Sequence, residues 1–159
     1  MDIKQIDRGE LIAVAGGILL AISLFLNWFT LGNPNTVLNQ CIHPAHFGAP
    51  STSCTGWDSL SAIRYVLLLA AVAPLILAYI IMRGHALSWP RGELTAVTAL
   101  VALTVTAFRG LIAKPGSPPG QIGLDIGWGV ALVAGLLILM GSIFRARESA
   151  GRRKPPGVL

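Results

Sequence analysis

The sequence predicts an all-α membrane protein, a bundle of four transmembrane helices with the N and C termini both in the cytoplasm. Three observations lead to this prediction: the composition, four apolar runs, and the distribution of lysine and arginine. Of the 159 residues, 53% are hydrophobic and 12% are charged, whereas an average soluble domain is roughly 25% charged. A small soluble domain needs polar groups to cover its surface, so this composition excludes an ordinary soluble enzyme.

A helix needs about 20 apolar residues to cross a bilayer core about 30 Å thick. Backbone groups in lipid must pair within their own segment, so we expect helices rather than single strands. The predicted helices of this single membrane domain cover about residues 11–31, 60–82, 94–113 and 126–144. The first run is longer than the core of a signal peptide, which favours an anchor that is kept. Pro74 removes one backbone donor from the second helix and is expected to kink it.

Lysine and arginine mark the cytoplasmic side of a membrane protein. The basic tail, residues 145–159, carries five of them, and the segment 32–57 carries none. We therefore expect the loops 32–58 and 114–125 to lie on the extracytoplasmic side of a multi-pass membrane protein. Contact with anionic lipid headgroups explains the tail more simply than binding of nucleic acid.

An internal repeat relates the two halves of the chain. The segment Arg8–Val14 recurs as Arg91–Val97 with six of seven positions identical, and Ser23 then aligns with Thr106. The repeat predicts two parallel helical hairpins related by an axis along the membrane normal. Chance similarity within a restricted alphabet is the alternative.

Small residues recur four positions apart on three of the predicted helices, a spacing that lets helix backbones approach closely in lipid. These residues are Ala13, Gly17, Ala21, Thr98, Ala102, Thr106, Ala131 and Gly135. We expect them to pack the helices of one bundle together. A specific contact between copies of the chain is the alternative.

The first outer loop holds both cysteines, Cys41 and Cys54. An extracytoplasmic pair is normally a disulfide, and a closed loop of about 14 residues would stabilise the fold by about 3 kcal/mol in the chain-entropy model. A zinc site that adds His43 and His46 is the sharper alternative, although the spacing matches no standard finger. A thiol oxidoreductase is a third interpretation, and the absence of a Cys-x-x-Cys motif argues against it.

Four charged residues fall at one depth near the outer side: Asp58, Arg64, Arg109 and Asp125. Charges at membrane depth are costly, so they pair or face the bundle interior. We expect a network that links the two arginines to the carboxylates or to backbone carbonyls, with an anion-binding site as the functional alternative. Four tryptophans are predicted to be interface anchors, namely Trp28, Trp57, Trp89 and Trp128.

The segment Ser23–Trp28, with Gly56-Trp57-Asp58 and Arg64 at the second helix, resembles the pattern of small four-span membrane proteins of high-GC Gram-positive (actinobacterial) bacteria. Their usual pattern has proline where this chain has Asn27. The third helix, which ends in Phe108-Arg109 before a proline-rich turn, also fits. The resemblance spans nearly the whole chain and implies a multi-pass protein of the bacterial plasma membrane, but it carries no activity.

A looser resemblance is to claudins, which also have four helices, cytoplasmic ends and a cysteine pair in the first outer loop. Trp28, Cys41, Cys54 and Arg64 occupy comparable places. The Gly-Leu-Trp that precedes the first claudin cysteine is absent, and the loop is about half as long. We take this as a similarity of architecture, not of function.

These patterns predict a non-catalytic protein without a cofactor, because no ionisable residue lies near the middle of any predicted helix and no nucleotide-binding motif is present. We expect an accessory or assembly subunit of a larger plasma-membrane complex, or a homo-oligomer. The partners would be membrane lipids and other membrane subunits or a second copy. A small transporter or channel with an outer arginine and aspartate site is the first alternative, and a redox or metal-handling protein is the second.

Overall fold

The computed structural model describes residues 8–31, 53–83, 92–114 and 122–151. Within these ranges the chain is mostly helical, with three short strands. The elements in chain order are α1 Arg8–Ser23, β1 Asn27–Leu31, β2 Ser53–Thr55, α2 Gly56–Ser59, α3 Ile63–Met82, α4 Glu93–Leu111, β3 Ile122–Leu124 and α5 Ile126–Gly151. Three of the described helices, α3, α4 and α5, are long and apolar enough to cross a membrane.

The four long helices pack beside one another. Helix α1 packs mainly against α3 and α5, and α4 packs mainly against the same two helices. Both α1 and α4 run toward the strands, while α3 and α5 run away from them. The principal helix neighbours are therefore antiparallel. We call the end that holds the strands the sheet end, and the opposite end, where Arg8 and Glu93 lie, the tail end.

A three-stranded antiparallel sheet covers the sheet end, in the order β2-β1-β3. The central strand β1 pairs Phe29 with Cys54 on one side and with Leu124 on the other. Strand β2 comes from the first predicted outer loop and β3 from the second. The sheet thus joins two segments that are about 70 residues apart in the chain.

The prediction that one helix covers residues 11–31 is wrong at the C-terminal end of that helix. Helix α1 ends at Ser23, and Asn27–Leu31 forms the central strand. Aromatic and β-branched residues such as Trp28, Phe29 and Thr30 favour strands. Two distant strands supply their hydrogen bonds, so the segment does not have to pair within itself. The 16 residues of α1 span about 24 Å at about 1.5 Å per residue, less than the ~30 Å hydrocarbon core.

The predicted bounds of the other three helices are closer to the observed ones. The second helix begins at Ile63 and not at residue 60, because the separate turn α2 precedes it, and the third covers Glu93–Leu111. Pro74 lies inside α3, which continues on both sides of it. The fourth helix continues past residue 144 to Gly151, so the predicted basic tail begins within α5.

The core runs from the helix interior up to the sheet. Its largest fully buried apolar side chains are Leu20, Leu24, Trp28, Phe29, Leu60, Leu67 and Ile138. Large apolar side chains also cover the outward faces of the long helices, among them Ile18, Leu69, Leu100, Phe108, Val133 and Met140. A helix that is apolar on every side belongs in a large core or in a membrane, and these outward faces therefore suit lipid.

Small residues set the spacing between helices. A Cβ atom on Gly9 would lie 2.8 Å from the carbonyl oxygen of Gly141, and one on Gly16 would lie 2.9 Å from that of Ala134, so α1 and α5 touch through their backbones. Gly17 meets Ala71 and Pro74 of α3 in the same way. Of the other predicted packing residues, four are buried and two half-buried: Ala13, Ala102, Thr106 and Ala131, and then Ala21 and Thr98. Gly135 packs on Leu103.

Candidate functional site at the sheet end

Arg64 lies in the first turn of α3, next to the sheet. Its two terminal nitrogens donate to the carbonyl oxygen of Trp57 at 3.2 Å and to the hydroxyl oxygen of Tyr65 at 3.3 Å. Its guanidinium carbon also lies 5.0 Å from the centre of each of these two rings. An arginine at this distance from an aromatic face gains a cation–π attraction. Arg64 is therefore held in place by neutral groups.

Aromatic rings from three segments, the turn after α1, α2 and α3, make up the rest of this cluster. Phe25, in the turn after α1, stacks on Trp57 with the ring centres 5.6 Å apart, and Tyr65 meets Trp57 edge-on at 6.4 Å. Phe25 and Tyr65 are 65% and 57% exposed. We call Phe25, Trp57, Arg64 and Tyr65 the arginine–aromatic cluster. The exposed side chains of this cluster contact the surroundings of the protein.

Arg109 occupies a different position, near the end of α4. One terminal nitrogen donates to the carbonyl oxygen of Ser59 at 3.2 Å and the other to that of Ala113 at 3.3 Å. The first bond ties α4 to the last residue of α2. The last carbonyls of a helix lack partners within the helix and attract cations, so the first contact satisfies the end of α2, and the second holds the residue that follows the end of α4.

The two predicted carboxylates lie at the starts of helices. Oδ2 of Asp58 accepts from the hydroxyl of Thr55 at 2.7 Å, and the Asp58 amide donates back to that hydroxyl oxygen at 3.3 Å. Oδ1 of Asp125 accepts from the amide of Ile126 at 2.7 Å. The Asp125 amide in turn donates to the carbonyl of Trp28 at 2.9 Å. Thr55 is therefore the N-cap of α2, with Asp58 bonded to it in the first turn, and Asp125 joins the start of α5 to strand β1.

The structure thus brings all four predicted charged residues to the sheet end. The contacts described above show the two arginines donating to backbone carbonyls, one of the two options that the sequence left open. Among these contacts, Arg64 belongs to an exposed cluster with aromatic rings, and Arg109 ties α4 to α2.

The prediction that Trp28 anchors the protein at the lipid interface is wrong. Its side chain has no exposed surface, and its indole nitrogen donates to the carbonyl oxygen of Ser23 at 2.7 Å. Trp28 is covered because it lies on the central strand with Gly56 packed on its ring. Trp57 and Trp128 are half-buried, and Trp89 lies outside the described residues.

Trp128 repeats the contact of Trp28 in the second half of the chain. Its indole nitrogen donates to the carbonyl oxygen of Thr106 at 2.9 Å, and Gly110 packs on its ring. Thr106 is the residue that the sequence repeat aligns with Ser23. In each half an indole therefore donates to the carbonyl at the equivalent position of the repeat. The two tryptophans come from different elements, a strand and a helix.

Cys54 lies in β2 with 3% of its surface exposed, and its thiol is not free. This agrees with the predicted disulfide, but Cys41 lies outside the described residues and the pairing stays a prediction. His43 and His46 also lie outside them. In the described ranges, histidine, cysteine and carboxylate side chains form no group that could hold a metal ion.

Sequence reasoning missed a pair at the tail end. Nε of Arg145 lies 3.6 Å from Oε1 of Glu10, and the two side chains are 3% and 5% exposed. The sequence placed Arg145 in the basic tail, and the repeat aligned Glu10 with Glu93. The repeat was a misleading signal here, because Glu93, the counterpart of Glu10, is exposed.

Comparisons of the chain with protein-family models, with curated proteins and with solved structures find no match.

Proposed function

We propose that this chain is a non-enzymatic four-helix protein of the bacterial plasma membrane that acts by contact. It would be an accessory or assembly subunit of a larger complex, or a homo-oligomer. In this proposal both termini face the cytoplasm, α1 and its flanking residues complete the fourth span, and the sheet lies outside. The observation that carries the proposal is the use of polar groups at the sheet end to hold the chain's own backbone.

Those polar groups build a stiff junction between sheet and helices. Arg109 binds the carbonyl of Ser59, and the Asp125 amide binds that of Trp28. Trp28 and Trp128 bind carbonyls near the ends of α1 and α4. Groups engaged in this way orient strands and helices relative to one another, as a subunit that presents a fixed surface requires.

Hydroxyl groups inside the helical part favour the assembly proposal over the transport alternative. Ser23, Thr95 and Ser142 are buried, and each donates to a carbonyl of its own helix or helix start, at 2.6, 3.1 and 2.8 Å. Serine and threonine that bond back to the i−3 or i−4 carbonyl have their donor engaged within the turn. These three therefore offer few donors to a water-filled path between the repeats, whereas the buried Thr106 hydroxyl makes no hydrogen bond within the described residues.

The outward apolar faces supply the surface for assembly. Exposed leucine, valine, isoleucine and phenylalanine side chains cover α4 and α5 along their described lengths. In lipid, such faces contact either acyl chains or other membrane helices. How well the side chains pack against a second helix decides between these two contacts. This surface is the one on which a membrane partner or a second copy would dock.

Extraction in a mild detergent, followed by blue-native electrophoresis and co-purification, tests the proposal. We expect the 16.7 kDa chain to migrate within a larger assembly, either with companion proteins or as a homo-oligomer. Cysteine-accessibility labelling would report the sheet end on the outer side and the tail end on the inner side. A lone species without companions, or catalytic turnover by the pure chain, would contradict the proposal.

A further inference from the structure

The guanidinium of Arg64 carries a charge that the described part of the protein does not balance. Within that part, no carboxylate lies at ion-pair distance from Arg64, and its hydrogen-bond acceptors are the neutral oxygens of Trp57 and Tyr65. The buried Nε of Arg64 has no acceptor there. An arginine has two N–H donors on each terminal nitrogen, and each terminal nitrogen of Arg64 makes one of the hydrogen bonds above, so one N–H on each remains for a ligand.

A comparison with Arg145 shows which kind of partner Arg64 lacks among the described residues. Arg145 is buried at the tail end and has the carboxylate of Glu10 at 3.6 Å. Arg64 is half-buried at the sheet end, among aromatic rings that exclude water from part of its surface. A partly desolvated cation costs free energy unless an anion accompanies it. An external anion would supply for Arg64 what Glu10 supplies for Arg145.

The position of Arg64 along α3 indicates the source of that anion. Arg64 is the second residue of Ile63–Met82, one of the helices long and apolar enough to span a membrane. The start of a span lies at the depth of the lipid headgroups. Tryptophan and tyrosine prefer this same depth, and both flank Arg64. A lipid phosphate would therefore lie level with the guanidinium.

An apolar track continues from the cluster into the membrane-spanning part. Tyr65 and Leu69 are four residues apart on α3 and so lie on one face, and they are 57% and 62% exposed. Phe25 adds a third exposed apolar side chain beside Trp57. A cation above an exposed apolar face complements a molecule with a charged head and an alkyl chain.

We infer that the arginine–aromatic cluster is a binding site for an anionic phospholipid, with the headgroup phosphate on Arg64 and an acyl chain along Tyr65 and Leu69. Two charged oxygens of a phosphate can accept from a guanidinium in parallel, which is a strong and directional contact. A zwitterionic lipid brings its own cation to the site and leaves the charge of Arg64 less well balanced. The site should therefore prefer phosphatidylglycerol to phosphatidylcholine.

Native mass spectrometry of the full-length protein in mild detergent tests this inference, with phosphatidylglycerol, phosphatidylcholine and inorganic phosphate titrated separately. We expect phosphatidylglycerol to bind best. Arg64→Gln should weaken its binding about tenfold, because one charge-assisted contact is lost. Arg64→Lys keeps the charge without the planar fork and should lose about threefold.

Arg83 offers a matched control. It follows α3 at the tail end, is exposed, and lies 5.2 Å from the ring of Tyr79, so it reproduces the arginine–aromatic contact without the cluster. We expect Arg83→Gln to change phosphatidylglycerol binding less than twofold. Helical circular dichroism and a single gel-filtration peak would show that each variant is folded.

Three results would overturn the inference: equal losses in Arg64→Gln and Arg83→Gln, equal binding of the two lipids, or binding of inorganic phosphate at Arg64 as tight as that of the lipid. The inference rests on the membrane setting proposed above and not on assembly. If the wild type shows no lipid preference yet migrates as a larger assembly, the inference alone fails. If a lone species selects phosphatidylglycerol through Arg64, the proposed assembly role alone fails.

Discussion

Glu10 and Arg145 form a buried ion pair that joins the start of α1 to α5, with Arg145 Nε 3.6 Å from Glu10 Oε1. Gly9, the residue before Glu10, packs on the backbone of Gly141 and beside the amide of Arg145. The glycine contact brings the two helices together and thereby removes water from both charges. The pair and the close helix approach are thus parts of one arrangement.

Removal of one member of this pair should destabilise the protein strongly. We expect Glu10→Gln or Arg145→Met to cost about 3 kcal/mol or more, because the remaining charge is buried without its partner. The double variant Glu10→Leu, Arg145→Met should recover much of that loss. Thermal unfolding in detergent, followed by circular dichroism, measures the difference. Glu93→Gln is the matched control at the exposed repeat position and should have no effect; an equal loss there would contradict this account.

The glycine contact between α1 and α5 can be tested on one helix. A Cβ on Gly141 would lie 2.5 Å from the carbonyl oxygen of Gly9, whereas one on Gly129 would have nothing within 4 Å. We expect Gly141→Ala to destabilise by about 1–3 kcal/mol, since backbone must move to make room. Gly129→Ala should be neutral or stabilise by up to about 1 kcal/mol through helix propensity. The same destabilisation in both variants would show that helix approach is not the cause.

The indole of Trp28 should stabilise the junction between α1 and the sheet. Trp28→Phe removes the indole donor to the Ser23 carbonyl, which then keeps the Leu26 amide at 3.2 Å, so the loss of this one hydrogen bond should cost about 0.5–1.5 kcal/mol. Trp57→Phe keeps an aromatic ring beside Phe25 and is expected to cost less. Denaturation in detergent compares the two variants. A larger loss in Trp57→Phe would contradict the structural role given to Trp28.

The predicted disulfide between Cys41 and Cys54 gives a redox test. If the pair is closed, reduction removes a constraint on a loop of about 14 residues and should lower stability by about 3 kcal/mol. Intact mass measurement after alkylation, with and without reductant, counts the free thiols directly. Two alkylated thiols without reductant would refute the disulfide, and a retained metal ion would favour the alternative site with His43 and His46.

Local signals in the sequence determine most of the helices. Runs of apolar residues long enough to span a membrane predict most of the ends of α3, α4 and α5 to within a few residues. They do so because the hydrogen bonds of a helix are made within each run. The small residues Gly17 and Ala102 likewise lie at helix contacts, since their spacing alone puts them on one face. The same local reasoning placed Arg64 and Arg109 at one end of the molecule.

Contacts between distant segments decided the rest. Asn27–Leu31 is a strand because β2 and β3 arrive from separate loops to pair with it, and no pattern within the segment shows those partners. Trp28 is covered, and Arg145 is buried beside Glu10, for the same reason: burial depends on which elements pack together. The sequence by itself therefore determined where most of the helices form and that successive long helices run in opposite directions. Only the tertiary structure decided which polar groups hold the fold and which, like Arg64, face outward, because hydrogen bonds and burial there join residues far apart in the chain.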